Sequence, residues 1–219
     1  MQNLQALVAE FHRKFRHPVF NDVNFETLCS KKVADLRLRL LIEEINEGEA
    51  AENILNGDEF DESEKQLALV EIFDALVDVA VITLGTACVY GLKLDSLKPT
   101  EETLMVLEDS GGIFNFLQVN FWNLTDNLEN LCKYPNTKGY LVSAVLRNLQ
   151  DLLDTCTGMA EVLGFPFEAG FVEVMASNIS KLGEDGQPIY REDGKILKGP
   201  NYFKPNLEKI LDAHFTQSA

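Results

Sequence analysis

The chain has 219 residues, 46% of them apolar and 25% charged, enough for one sizeable core and short of two ordinary domains. Thirty-five acidic against nineteen basic residues leave a net charge of -16, which disfavours nucleic-acid polymers and anionic membrane surfaces as partners. Any phosphate-bearing substrate would need a divalent metal to bridge it to so acidic a protein.

Leu4, Leu7, Val8, Phe11 and Phe15 recur at three- and four-residue steps and predict an amphipathic helix over 3–16, ended before Pro18. Residues 21–32 read as a connection. Leu36, Leu40, Leu41, Ile45 and Ile54 predict a helix over 33–55, stopped at Asn56-Gly57, and an acidic loop follows over 58–64. A second long helix is predicted over 67–90, with Leu69, Val70, Phe73, Val77, Val81 and Leu84 on its apolar side and Gly91 as its C-terminal cap. The most apolar stretch, 79–92, begins right after Asp78 and is too short to cross a bilayer.

Two or three further helices are expected over 101–163, broken at Gly111-Gly112 and over 134–139. Phe114, Leu117, Phe121, Leu124, Leu128 and Leu131 form an apolar stripe there, and Phe121 and Trp122 are assigned to the core rather than to base stacking. The last predicted helix covers 167–182. Polar turns follow, and Asp193-Gly194 between two short apolar runs is a hairpin signal.

Displacing the chain by 73 positions puts Asp78, Gly85, Ala87, Val89 and Gly91 on Asp151, Gly158, Ala160, Val162 and Gly164. If this is a duplication, the second copy has lost its acids, since Ala144 stands where Glu71 stands and Arg147 where Asp74 stands. Cys29, Cys88, Cys132 and Cys156 lack CxxC spacing, and no basic-then-apolar leader opens the chain. The expectation is a reduced, soluble, cytoplasmic protein.

The informative feature is a pair of acidic clusters on consecutive predicted helices. Glu44 and Glu47 in Glu43-Glu44-x-x-Glu47 are neighbours on one helix face, and Glu71, Asp74 and Asp78 form one stripe along the next helix. Leu40 and Ala51 extend the first face, and Leu67 and Ile82 the second, so these carboxylates share lines with residues expected to pack. Like charges so placed repel, and a hard divalent cation offsets them. Mg²⁺ takes one or two carboxylates and keeps positions for substrate phosphates, with Mn²⁺ the alternative ion. A di-iron bundle would need Glu-x-x-His, which the three histidines do not supply, and no P-loop or GxSxG sequence occurs.

These residues resemble the signature of the all-α nucleoside triphosphate pyrophosphohydrolases, the MazG-type group that includes dimeric dUTPases and phosphoribosyl-ATP pyrophosphohydrolase. Arg37 to Ile42 before the glutamates, Thr83 to Ala87 after Asp78, and Phe11-His12 with Phe15 are also similar, as is the tail from Ser177 through Lys198-Gly199-Pro200-Asn201-Tyr202. The resemblance covers 1–95 and 165–207, within a single domain of 1–219. Residues 96–164 depart from compact members and read as a helical insertion or degenerate repeat.

The resemblance implies an all-α bundle with a hairpin-like tail, cleaving (d)NTP to (d)NMP and pyrophosphate in nucleotide-pool house-cleaning, with a lean toward dUTP. It implies Glu44, Glu47, Glu71 and Asp74 as metal ligands, with Glu43, Glu44 and Asp78 as the catalytic acids and Glu43 or Asp78 as the outer ligand or general base. Asn178, Lys181, Arg191, Lys195, Lys198, Asn201 and Tyr202 are candidates to hold the nucleotide, while Arg37 and Arg39 are expected to pair with the acidic motif. Family enzymes are generally homodimers, and the insertion here suggests a single-chain pseudo-dimer as the other arrangement. The competing class is a non-catalytic nucleotide- or metal-binding helical protein, a sensor or regulator.

Overall fold

The computed structural model describes residues 3–95, 104, 107, 112–134, 138–191 and 196–218. Those residues form eight helices and no strand: α1 (Leu4–Lys14), α2 (Phe25–Leu28), α3 (Lys31–Asn56), α4 (Glu62–Tyr90), α5 (Ile113–Lys133), α6 (Lys138–Val162), α7 (Phe167–Ile179) and α8 (Leu207–Ser218). Local chemistry sets several ends. The Asn3, Asn24 and Ser30 side chains accept from the backbone N–H groups of Ala6, Thr27 and Val33 and so start α1, α2 and α3. Asp61 and Glu64 form a reciprocal capping box that starts α4 at Glu62, inside the expected acidic loop. That first turn is polar, so hydrophobic periodicity does not reveal it.

The last predicted helix ends at Ile179 rather than 182, and α8 was not expected at all. Its apolar side is only Leu207, Ile210 and Leu211, which pack on the main core. The tail hairpin is present as one antiparallel bridge, Tyr190 to Ile196, with the Leu197 N–H on the Ile189 carbonyl at 2.8 Å. Its turn residues, Asp193-Gly194 and Lys195 among them, lie outside the described residues.

Helices α3 and α4 pack as a hairpin, and α5 and α6 form a second hairpin that lies on the first, α5 against α3 and α6 against α4. Helices α1, α7 and α8 cover other sides of α4, which explains why α4 is apolar nearly all round. Every member of the predicted stripe from Phe114 to Leu131 is buried. Three expectations fail: Leu36, Leu67 and Trp122 are 45%, 60% and 59% exposed. Each lies at the edge of its helix's apolar arc, where neighbouring helices do not reach.

Close packing between the hairpins depends on Gly48, which directly follows Glu47. A Cβ there would lie 2.1 Å from the Phe114 ring and 2.9 Å from Ala75 Cβ. The α4 and α6 C-termini are alike at a displacement of 73. Gly91 and Gly164 both have φ 69°, in the left-handed region that favours glycine. The Leu92 N–H meets the Ala87 carbonyl at 2.9 Å, and the Phe165 N–H meets the Ala160 carbonyl at 2.7 Å. Both ends thus use the same left-handed termination.

Arg37 does not pair with the acidic motif. It reaches from α3 into α4, where Nε donates to Thr86 Oγ1 at 2.8 Å and Nη2 to the Ile82 carbonyl at 2.6 Å. Burial lowers its pKa to about 10. His12 of α1 lies beside it over Gly85, with the His17 ring 5.3 Å away. Burial first, then the Arg37 and His17 charges, push the His12 pKa down to about 3, with a weak opposing contribution from the Pro18 carbonyl. Burial and Arg37 lower His17 as well.

Gly48→Ala is expected to destabilise the fold by about 1–3 kcal/mol through overpacking against Phe114, read as a lower urea midpoint with an unchanged slope. His12 is neutral in the folded protein, whereas an unfolded histidine takes up a proton near pH 6.5. Stability is therefore full above that pH and falls as pH drops from about 6.5 toward 3. Between pH 7 and pH 5 the expected loss is about 2 kcal/mol from this group. Raised carboxyls, Glu44 among them, gain stability over the same interval, so urea titrations at both pH values should show the His12 contribution as a difference: wild type falls by about 2 kcal/mol relative to His12→Gln between pH 7 and pH 5.

Candidate functional site

The two acidic clusters meet across the α3–α4 seam. Glu43, Glu44 and Glu47 lie on α3 and Glu71, Asp74 and Asp78 on α4, and the field of the cluster registers in the titration of Glu44, Asp74 and Asp78. Burial, followed by Glu47, Asp74 and Glu43, raises the Glu44 pKa to about 7, against the opposing charge of Lys181. Burial, then Asp74 and Glu44, holds the Asp78 pKa well above the usual carboxylate range, again with Lys181 opposing. Asp74 is raised by burial and by Glu71, with Lys204 acting against the rise. The stripe from Glu71 to Asp78 covers about 10 Å of helix rise. It runs from an exposed outer end at Glu71 to a buried inner end beside Asp78.

Helix α7 brings its C-terminus to the inner end. Lys181 Nζ donates to Asn178 Oδ1 at 2.6 Å, so these two predicted residues are one unit that faces Glu44 and Asp78. The tail docks on the same helix end. The Gly199 N–H meets the Lys181 carbonyl at 3.1 Å, and Ser177 Oγ donates to the Phe203 carbonyl at 2.8 Å. A Cβ at residue 199 would sit 2.0 Å from the Leu182 carbonyl oxygen, so only glycine permits this approach.

Lys198 Nζ lies 4.3 Å above the Tyr202 ring, a cation–π contact that holds both in one place. Asn201 and Arg191 are exposed. Further back, the Tyr190 hydroxyl donates to the Phe15 carbonyl, and Arg16 Nη2 to Gln187 Oε1 at 2.9 Å, fastening the tail to the end of α1. Lys195 lies outside the described residues.

Lys204 was missed by sequence reasoning. It lines a cleft of about 290 Å³ with Leu67, Val70, Glu71 and Asp74 of α4 and with Pro205, Asn206, Leu207 and Glu208. Its significance comes from a segment 130 residues away (Asp74 to Lys204), so no local pattern could have flagged it.

All six acids offer hard oxygen donors, the set that suits Mg²⁺ or Mn²⁺. Among the described residues, no three His, Cys, Asp or Glu side chains group tightly enough to hold a metal by themselves. Mg²⁺ at phosphate-processing sites is usually held by one or two carboxylates together with water and phosphate oxygens, and these acids supply that donor type. Among the described residues, no helix is long and apolar enough to cross a membrane.

Comparison with known proteins is sparse. The chain is 27% identical to an uncharacterized protein of Acanthamoeba polyphaga mimivirus, over 96% of each chain. No protein-family model and no solved structure matches.

Because the Lys181 charge holds Glu44 down, Lys181→Met should raise the Glu44 pKa further above about 7. A carboxyl-carbon NMR titration of both proteins reads this directly, and an unchanged Glu44 midpoint would place Lys181 away from the seam.

Proposed function

We propose that the protein is a divalent-cation-dependent nucleoside triphosphate pyrophosphohydrolase that cleaves (d)NTP to (d)NMP and pyrophosphate, serves nucleotide-pool cleaning, and accepts dUTP. The observation that carries this reading is the convergence of two carboxylate stripes on one seam with Lys181 and Lys204 beside them. An isolated acidic face would be solvated, whereas this one is partly buried and raises its own pKa values, which calls for a cationic partner.

Glu44, Glu47, Glu71 and Asp74 would hold Mg²⁺, which when bound neutralises triphosphate charge and lowers the pKa of a coordinated water. The protein's own residues do the rest. Lys181, oriented by Asn178, donates to phosphate oxygens at the inner end. Lys198, Asn201 and Tyr202, held against α7 by Gly199 and Ser177, present a cation, an amide and a ring to the nucleotide. The water oxygen bonds to the α-phosphorus, and the bond from that phosphorus to the bridging oxygen breaks. The electron pair leaves on pyrophosphate, and one proton of the water passes to a carboxylate oxygen of Glu43 or Asp78.

We also propose a single-chain pseudo-dimer, in which α5–α6 occupies the place a second subunit's acidic hairpin would take. The matching left-handed ends of α4 and α6 and the retained Asp151 support it.

Incubation with a panel of NTPs and dNTPs and Mg²⁺ should release pyrophosphate from a subset that includes dUTP. Glu44→Gln should lower kcat by about 100-fold or more, and EDTA should abolish turnover. Specific activity should not change on dilution through the range in which dimers dissociate. Mg²⁺-dependent nucleotide binding with no release from any nucleotide would instead assign a sensor.

A further inference from the structure

The Arg37 guanidinium is held by one of its two donor edges. Its side edge is taken by α4, where Nε donates to Thr86 Oγ1 at 2.8 Å and Nη2 to the Ile82 carbonyl at 2.6 Å. A guanidinium carries five N–H donors in a rigid plane, so the terminal edge, formed by Nη1 and the second hydrogen of Nη2, is left over. Among the described residues that edge has no hydrogen-bond partner and no carboxylate. We infer that it is a binding site for inorganic phosphate, gripped by Arg37 through two parallel hydrogen bonds and read by His12 through the proton that phosphate keeps near neutral pH.

His12 supplies the second half of the site. Its side chain is 4% exposed, and its Nδ1 lies 3.4 Å from the Pro18 carbonyl. A carbonyl only accepts, so Nδ1 carries the proton of the neutral ring and Nε2 is left as an acceptor, with no partner among the described residues. That nitrogen lies at the free edge of Arg37, because the Cβ position of Gly85 is 2.7 Å from both His12 Nε2 and Arg37 Nη2. A buried acceptor beside unused donors calls for an occupant that offers acceptors to one and a donor to the other. Hydrogen phosphate does both: two oxygens accept from the guanidinium edge, and its P–OH donates to Nε2. Sulfate and carboxylates carry no proton near neutral pH and would set a lone pair against Nε2.

The local field also favours an anion, in spite of a net charge of -16. The charges that act on His12 and His17 are those of Arg37 and of the two rings, with no carboxylate among them, and none acts on Arg37. Arg13 of α1 adds a second cation, since it and Arg37 both act on the Cys88 thiol. Arg37 and His17 are half-buried, so the site is open to solvent on that side.

This place is separate from the acidic seam. Gly85 lies seven residues beyond Asp78, about 10 Å of helix rise, and Arg37 is not among the charges that act on Glu44, Asp74 or Asp78. The inference therefore does not rest on the pyrophosphohydrolase reading. Phosphate bound there would tie α1, through His12, to α3, through Arg37.

The test follows the imidazole nitrogens of the three histidines by NMR at pH 7 and constant ionic strength, with His214, exposed on α8, as an internal control. Sodium phosphate should move the His12 Nε2 resonance saturably, with a dissociation constant of the order of 1 mM, and leave His214 in place. Sulfate and acetate should bind at least tenfold more weakly. Arg37→Lys, which keeps the charge and loses the fork, should weaken phosphate about tenfold.

If Arg37→Lys does not fold, the three salts on wild type still decide. No saturable shift with phosphate, equal binding of sulfate, or undiminished affinity in a folded Arg37→Lys overturns the inference. A shift with uridine and none with phosphate overturns it as well, by giving the edge to a neutral amide. None of these readings involves turnover, so each stands or falls apart from the enzyme assignment.

Discussion

Everything in this molecule turns on the seam between α3 and α4, which has to hold six carboxylates at one end and a buried guanidinium at the other. Arg37 spends its hydrogen bonds on Thr86 and the Ile82 carbonyl and, among the described residues, forms no ion pair. It therefore pins the two helices at a fixed rotation without neutralising an acid. With that rotation set, Glu44 and Glu47 face Asp74 and Asp78. Their mutual repulsion is carried by the rest of the bundle.

The second hairpin supplies much of that support. Phe114 sits against the backbone of Gly48, one residue after Glu47, so the acidic motif rests on the core of α5 rather than on solvent. Glu49 and Glu52 next to it are tied into the same hairpin, through Gln118 at 2.8 Å and the Phe114 N–H at 3.3 Å. The α5–α6 hairpin thus helps to fix where the acids stand. Helices α4 and α6 also end alike, each at a glycine with φ 69°.

Among the described residues, the cations that act on the buried acids come from chain segments distant in sequence. Lys181 arrives on the end of α7 and Lys204 on the segment before α8, and both are placed by the docking of Gly199 and Phe203 on α7. The tail's other attachments, at Phe15 and Gln187, join it to α1, so the helix that closes the inner end also anchors the segment that bears Lys198 and Tyr202. One covering layer therefore closes the seam and supplies its positive charge.

By itself the sequence determined the all-helical class, the stripes on α3 and α4, the apolar stripe of α5 and the Gly91 termination, because each is a periodicity or a cap written within one helix. It missed the polar start of α4 at its capping box, and it missed α8, whose few apolar residues leave too weak a period. It also misplaced Leu36, Leu67 and Trp122, since burial at the edge of an apolar arc depends on whether a neighbour reaches that far. The tertiary structure alone decided that Arg37 pins a helix instead of pairing with Glu43 or Glu44, that Lys181 faces the buried acids, and that Lys204 lines the outer cleft. These are contacts between residues tens to more than a hundred positions apart. Spacing along one helix orders side chains on a face, but which faces meet is settled only when the whole core packs.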